Sequence, residues 1–181
     1  MSQPGAAQPQ EAPDTKTPRT PAPSKPEPVR AKEMAALLIQ GFPDVKVNYA
    51  RESRLKVSID PSRIKDLALF ARDKLGFDHI SAVSGVDWIA KNEFEVVYFV
   101  GAVSKPGYED FVIAISERIA RDNPVVPTLI DVWLGVDYHE RETHEMFGIN
   151  FQGHPNSAHL LLPEDWDDIP PLRKDYVSPG R

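Results

Sequence analysis

Residues 77–119 read FDHISAVSGVDWIAKNEFEVVYFVGAVSKPGYEDFVIAISERI, and this stretch decides the fold. Three runs rich in β-branched and aromatic residues, Phe77 to Trp88, Phe94 to Val100 and Phe111 to Ile119, are separated by the turn-prone Ala90-Lys91-Asn92-Glu93 and Lys105-Pro106-Gly107. Links this short join neighbouring strands, so a meander is the simplest connection.

Toward the N-terminus, Asp60-Pro61 supplies an N-cap followed by proline at the first helical position. Ile64, Leu67, Ala68, Ala71 and Leu75 then form one helical stripe that Gly76 closes. Before it, Val45, Val47, Tyr49 and Leu55, Val57, Ile59 alternate with polar residues around Arg51-Glu52-Ser53, which predicts a half-buried hairpin. Met34, Ala35, Leu38 and Phe42 recur at helical spacing from Ala31 and are closed by Gly41 and Pro43, giving a short amphipathic helix. Two helices and about five strands joined mostly by short turns predict an α+β fold: a two-layer domain with helices on one face of a mostly antiparallel sheet.

Beyond Asn123-Pro124 the residues Leu129, Val132, Trp133, Val136, Glu140, Thr143 and Phe147 share one helical stripe, which Gly135 is placed to interrupt. From Gly148 to Arg181 periodicity ends, prolines recur, and the apolar Phe151, Leu160, Leu161, Leu162, Trp166 and Leu172 stand among them. This predicts an extended C-terminal strap, too apolar to stay in water and too broken to make its own helix or central strand. At the other end, residues 1–30 hold eight of the 18 prolines and no aromatic residue, leucine or isoleucine, the composition of a disordered tail. The organisation expected is therefore a tail (1–30), a core domain (31–147) and a partner-binding strap (148–181).

With 181 residues and 41% hydrophobic content, the chain can bury one substantial core. A net charge of −6 gives no global attraction for nucleic acid. There is no cysteine, hence no disulfide, no thiol nucleophile and none of the usual thiolate ligands of iron–sulfur clusters. No run of eighteen apolar residues and no secretory pattern occurs, so a cytoplasmic or peripheral, reduced setting is expected.

The run His139-Glu140-Arg141-Glu142-Thr143-His144-Glu145 invites comparison with zinc hydrolases, which set two histidines four residues apart. Here the spacing is five, which turns the two rings about 140° apart on a helix and denies them a common metal. Arg141 and Glu145, four apart, fit a solvated helical face. Glu140, however, falls on the apolar stripe, where a carboxylate needs a cation or hydrogen-bond donors within the subunit or across an interface. No glycine-rich phosphate loop and no strained serine elbow is present, so no catalytic, cofactor-binding or metal residue is assigned.

Glu140-Arg141-Glu142, Met146-Phe147-Gly148-Ile149, Phe151, Gly153-His154-Pro155, Leu161-Leu162-Pro163-Glu164-Asp165-Trp166 and Pro171-Leu172-Arg173-Lys174-Asp175-Tyr176 together resemble the 30 kDa subunit family of NADH-quinone oxidoreductase, respiratory complex I. The match is dense from about Val125 to Tyr176. The resemblance implies a cofactor-free subunit of a peripheral arm at the cytoplasmic face of the membrane, touching the membrane only through the complex. It packs beside the hydrogenase-like large subunit that holds the quinone site, while quinone, iron–sulfur clusters, FMN and NADH belong to partner subunits. Carried over by position, Glu140, Arg141, Glu142, Phe147, Gly148, Gly153, His154 and Pro155 form the signature, and Leu172, Arg173 and Lys174 the terminal strap, in architectural roles. Trp166 is expected to be the strap's chief anchor on its partner.

One departure stands out. After Gly153-His154-Pro155 the family usually carries an aspartate or asparagine, a leucine and two arginines, where this chain has Asn156, Ser157, Ala158 and His159. The difference leaves the electron donor open among NADH, reduced F420, ferredoxin and hydrogen. An equivalent subunit of an F420H2 dehydrogenase or of a ferredoxin-dependent or membrane-bound hydrogenase is one alternative. A free-standing soluble hydrolase using the histidine-rich helix is another, from a different class.

Overall fold

Asp60 caps its helix as its position before Pro61 predicts, with the side chain accepting the Ser62 N–H at 3.0 Å. A short 3-10 turn, Pro61–Arg63, runs on into a helix whose Ile64, Leu67, Ala68 and Ala71 are fully buried, and Gly76 closes the segment at φ +77°. In this computed structural model, which describes residues 28–156 and 158–178, the elements run α1 (Val29–Gly41), β1 (Lys46–Arg51), β2 (Arg54–Ser58), α2 (Ile64–Asp73), β3 (His79–Trp88), β4 (Glu93–Gly101), β5 (Val112–Ala120), β6 (Val125–Pro127), α3 (Val136–Phe147) and β7 (Asn150–Gln152). The expectation for the N-terminal tail falls almost wholly outside the described residues. Helix α1 begins at Val29, however, and Arg30 makes a bidentate pair with Asp110 at 2.6 and 3.0 Å, so the folded part starts slightly before Ala31.

The meander is present: β3 pairs antiparallel with β4, and β4 with β5. Once the β1–β2 hairpin has formed, β2 has one free edge and the meander offers β5, so the two pair in parallel and give the order β1-β2-β5-β4-β3. Three of the four pairings are antiparallel, in an α+β fold of the kind expected. On one face Leu55, Val57, Phe94, Val96, Tyr98, Val100, Ile113 and Ile115 are fully buried, in one core with the apolar sides of all three helices. At about 25 cal/mol per Å² this single core is the main favourable contribution to folding.

Two features differ from the sequence reading, and a third is the interruption that Gly135 allows. The hairpin is half-buried only along β2; β1 is an edge strand with a bulge between Val47 and Tyr49, and Val47 is exposed. The stripe from Leu129 to Phe147 is not one helix, because the chain turns through Leu129, Val132 and Trp133 and becomes helical only at Val136. The cause sits at Gly135, where a Cβ would lie 2.5 Å from Ile80 Cγ2, so the turn passes β3 too closely for any side chain. Finally, the segment after Gly148 does not leave the domain at once: β7 pairs in parallel with β6 and buries Phe151. Strands of three residues are too short for a period-two pattern to reveal them.

Candidate partner-binding site

Helix α3 carries four of the eight signature residues, and its geometry sends each in a different direction. Glu140 points into the core and is fully buried. Its Oε1 accepts the Leu129 N–H at 2.9 Å and the Tyr98 hydroxyl at 3.0 Å, while Oε2 accepts the Thr128 hydroxyl. Of the two means of satisfying this carboxylate, the fold uses donors from β4 and the β6–α3 turn. Burial pushes Glu140 above the ordinary carboxylate range, opposed first by the Thr128 and Leu129 hydrogen bonds. Tyr98 is itself raised well above its usual value, by burial first and then by the charges of Glu140 and Glu117.

Glu117 was not singled out from sequence. It lies on β5 opposite Val96, fully buried, and neither carboxylate oxygen has a hydrogen-bond partner among the described residues. Burial, then the charge of Glu140, then that of Asp60 raise it well above the usual carboxylate range. A signal was available: Ile113, Ile115, Glu117 and Ile119 alternate along one strand, which puts the carboxyl on the core face.

Arg141 and Glu145 do not pair with each other; both reach the strap. Arg141 Nη2 donates to the carbonyls of Ala158 at 3.2 Å and His159 at 3.4 Å. Glu145, only 5% exposed, accepts the N–H groups of Leu160 and Leu161 at 2.9 Å and of Leu162 at 3.3 Å. One carboxylate thus fixes three successive backbone amides, a charge-assisted arrangement that sets the course of the strap. Glu142 is exposed and lines a cavity of about 160 Å³ with Met146, Phe147, Leu172 and the middle of β3. There Phe147 packs against Gly85, whose absent Cβ would lie 2.6 Å from the ring, and edge-on to Phe94 at 6.2 Å.

Gly148 ends α3 at φ +75°, where its N–H donates to His144 O at 2.7 Å, and Gly153 turns the chain after β7 at φ +88°. His154 follows with Nδ1 accepting the Asn156 N–H at 3.1 Å, which leaves its Nε2 as the N–H, 3.5 Å from Asp137 Oδ1. Asn156, just after the exposed Pro155, in turn accepts the Ala158 N–H at 3.0 Å. Glu140, Arg141, His144, Gly153 and His154 border a cavity of about 240 Å³ between α3 and this turn. His144 Nδ1 lies 2.8 Å from Ile149 O, on the side of the helix away from His139.

The strap returns along the domain. The Leu172 N–H donates to Met146 O at 3.0 Å, and the Lys174 N–H donates to the buried Asp87 at 2.9 Å. Arg121 bridges Asp87, at 3.1 and 3.2 Å, to Asp175. The Arg173 guanidinium stands over Phe94, 5.4 Å from the ring centre. Trp166 faces Tyr176 at 6.1 Å and donates its indole N–H to Asp168 O at 3.0 Å, so its ring is engaged within the strap. The apolar residues left outward are Leu161, Ile169, Leu172 and Val177.

Comparison with known proteins places these features. The family described as respiratory-chain NADH dehydrogenase, 30 Kd subunit, matches residues 57–181. A subunit of the F(420)H(2) dehydrogenase of Methanosarcina mazei is 33% identical over 148 residues, covering 81% of this chain and 91% of that protein. A subunit of the NADH-quinone oxidoreductase of Roseiflexus castenholzii is 43% identical over 124 residues, 67% of this chain and 68% of that one. Among solved structures, a chain of the membrane-bound sulfane sulfur reductase, an archaeal respiratory membrane complex, superposes with a TM-score of 0.69 at 24% identity over 82% of this chain and 86% of its own. A trypsin-resistant fragment of Nqo5 does so with a TM-score of 0.56 at 24% identity, over 70% and 98%. At that identity the two likenesses show the fold.

Proposed function

This chain belongs to the 30 kDa subunit family of respiratory-chain NADH dehydrogenases, and from that premise we propose that it is a cofactor-free accessory subunit in the peripheral arm of a complex I-like NADH-quinone oxidoreductase. In that role it supports the quinone-site subunit during electron transfer coupled to proton translocation, and meets the membrane only through the complex. The observation that carries the reading is the use made of the signature residues and of Glu145 beside them: Glu140 is enclosed by three donors, Gly148 and Gly153 make left-handed turns, and Glu145 holds three strap amides. Polar groups committed to fixed backbone and hydroxyl partners define shape, which supports an architectural role for this helix. Among the described residues no helix is long and apolar enough to cross a membrane.

The same subunit in an F420H2 dehydrogenase is the second reading. It is favoured by the length of the Methanosarcina mazei match, which spans 91% of that relative. Copurification of the tagged full-length chain from gently solubilised membranes tests both: a quinone-site subunit should accompany it, and the flavin module in the preparation distinguishes the donors. Because β7 belongs to the domain, the informative truncation falls after Gly153; it should leave the core folded and abolish association. A chain that purifies alone with intrinsic hydrolytic turnover refutes the subunit reading.

A further inference from the structure

The strap reaches solvent already shaped. Glu145 fixes it at Leu160–Leu162 and Asp87 at Lys174, and both carboxylates are buried side chains of the core domain. Between these two clamps Leu161, Ile169 and Leu172 are 63%, 42% and 55% exposed, more aliphatic surface than a short polar loop leaves in water without a use. The same segment carries the exposed Glu164, Asp165, Asp167 and Asp168, and none of the four has an ion-pair partner among the described residues. Residues 158–178 hold five acidic and two basic side chains, a net −3, so this short stretch carries half of the chain's formal charge of −6.

We infer that the strap between Leu160 and Lys174 is a preformed docking surface for a protein partner whose face is an apolar trough edged by lysines and arginines. The inference rests on the subunit reading above and specifies the chemistry of its partner. Aliphatic anchors supply the buried area, and the four unpaired carboxylates supply orientation and encounter rate against a basic rim. Preformation by Glu145 and Asp87 lowers the ordering cost that a free strap would meet on binding. An anionic lipid surface has the wrong sign for such a patch.

The test uses the tagged full-length chain expressed in place of the untagged one. Its retention on the complex is followed on native gels from about 0.05 M to about 0.5 M salt, a range that shortens the screening length severalfold. Wild-type retention should fall as salt rises. The variant Glu164→Gln/Asp165→Asn/Asp167→Asn/Asp168→Asn keeps an oxygen for the Ile169 N–H that Asp168 now accepts, and its isolated chain should unfold at the wild-type temperature. Its retention at low salt should drop by about tenfold and lose its salt dependence, while neutralising the exposed Glu52 and Glu109 elsewhere changes neither. Retention of the quadruple variant equal to wild type, or a wild-type complex indifferent to salt, overturns the basic-rim partner. So does tight binding of the isolated chain to phosphatidylglycerol vesicles. If the wild-type chain is absent from the complex altogether, the subunit reading itself has failed and this inference falls with it.

Discussion

Replacing Glu117 by glutamine should make the stability of the domain less dependent on pH, in a direction set by burial. Glu117 has both oxygens unpartnered and lies in the core near Glu140, and its folded-state pKa is raised well above the ordinary 4.5. A raised carboxyl pKa means that the folded state holds a proton the unfolded chain releases. The corresponding stability is fully present below the unfolded pKa and is lost as pH rises through the folded one. Above about pH 4.5 the wild type should therefore lose about 1.4 kcal/mol per pH unit from this group, until the folded carboxyl ionises.

Glu117→Gln keeps the size and cannot ionise. Any cost of its unpaired amide N–H is the same at every pH, so the informative quantity is the slope of the difference between variant and wild type. Carboxylates lowered in the fold, such as Asp78 and Asp175, titrate in the opposite sense, but they are common to both proteins and cancel. Urea unfolding followed by tryptophan fluorescence between about pH 4.5 and pH 8 should show the variant gaining on the wild type from the acid end and then levelling off. A stability difference independent of pH would mean that Glu117 is solvated or paired, and would refute the buried-acid account.

Glu140→Ala should cost on the order of 3 kcal/mol in thermal unfolding, because the Tyr98 and Thr128 hydroxyls and the Leu129 N–H lose their acceptor together. Gly135→Ala should destabilise by about 1–3 kcal/mol, measured by urea titration, since its Cβ would meet Ile80 at 2.5 Å. Glu145→Ala should leave most of the core's amide protection intact and accelerate hydrogen exchange at Leu160–Leu162 by about tenfold or more, the loss of charge-assisted bonds to those amides. Unchanged exchange there would show that other contacts hold the strap.

The domain was legible where local patterns and burial agree. The α2 stripe, the Asp60 cap and the three long strands each combine a period with a terminating turn residue, and all appear where their residues predict. What escaped depends on approach between distant segments. The break at Gly135 could be anticipated but not its close contact with Ile80 on β3, and the β6–β7 pair is too short to show a period. Trp166, read from sequence as an anchor for a partner, also has local neighbours that no sequence pattern reveals, the Tyr176 ring and a carbonyl of the strap itself.

The charged run on α3 shows how helical geometry divides the work among neighbouring side chains. At about 100° per residue, Arg141, Glu142 and Glu145 stand roughly 100°, 200° and 140° around the axis from Glu140. Glu140 itself faces the core, where it can be held only by donors. Arg141 and Glu145, within about 40° of each other, share the side on which the strap returns and so meet carbonyls and amides in preference to one another. Glu142 is left at the exposed edge beside Leu172. The spacing that prevents His139 and His144 from sharing a metal therefore follows the same rule that sets one carboxylate of this helix in the core and another on the strap. In sequence, a charge run on a helix with a buried face is best read residue by residue around the axis, because only the members on the buried side must find partners within the fold.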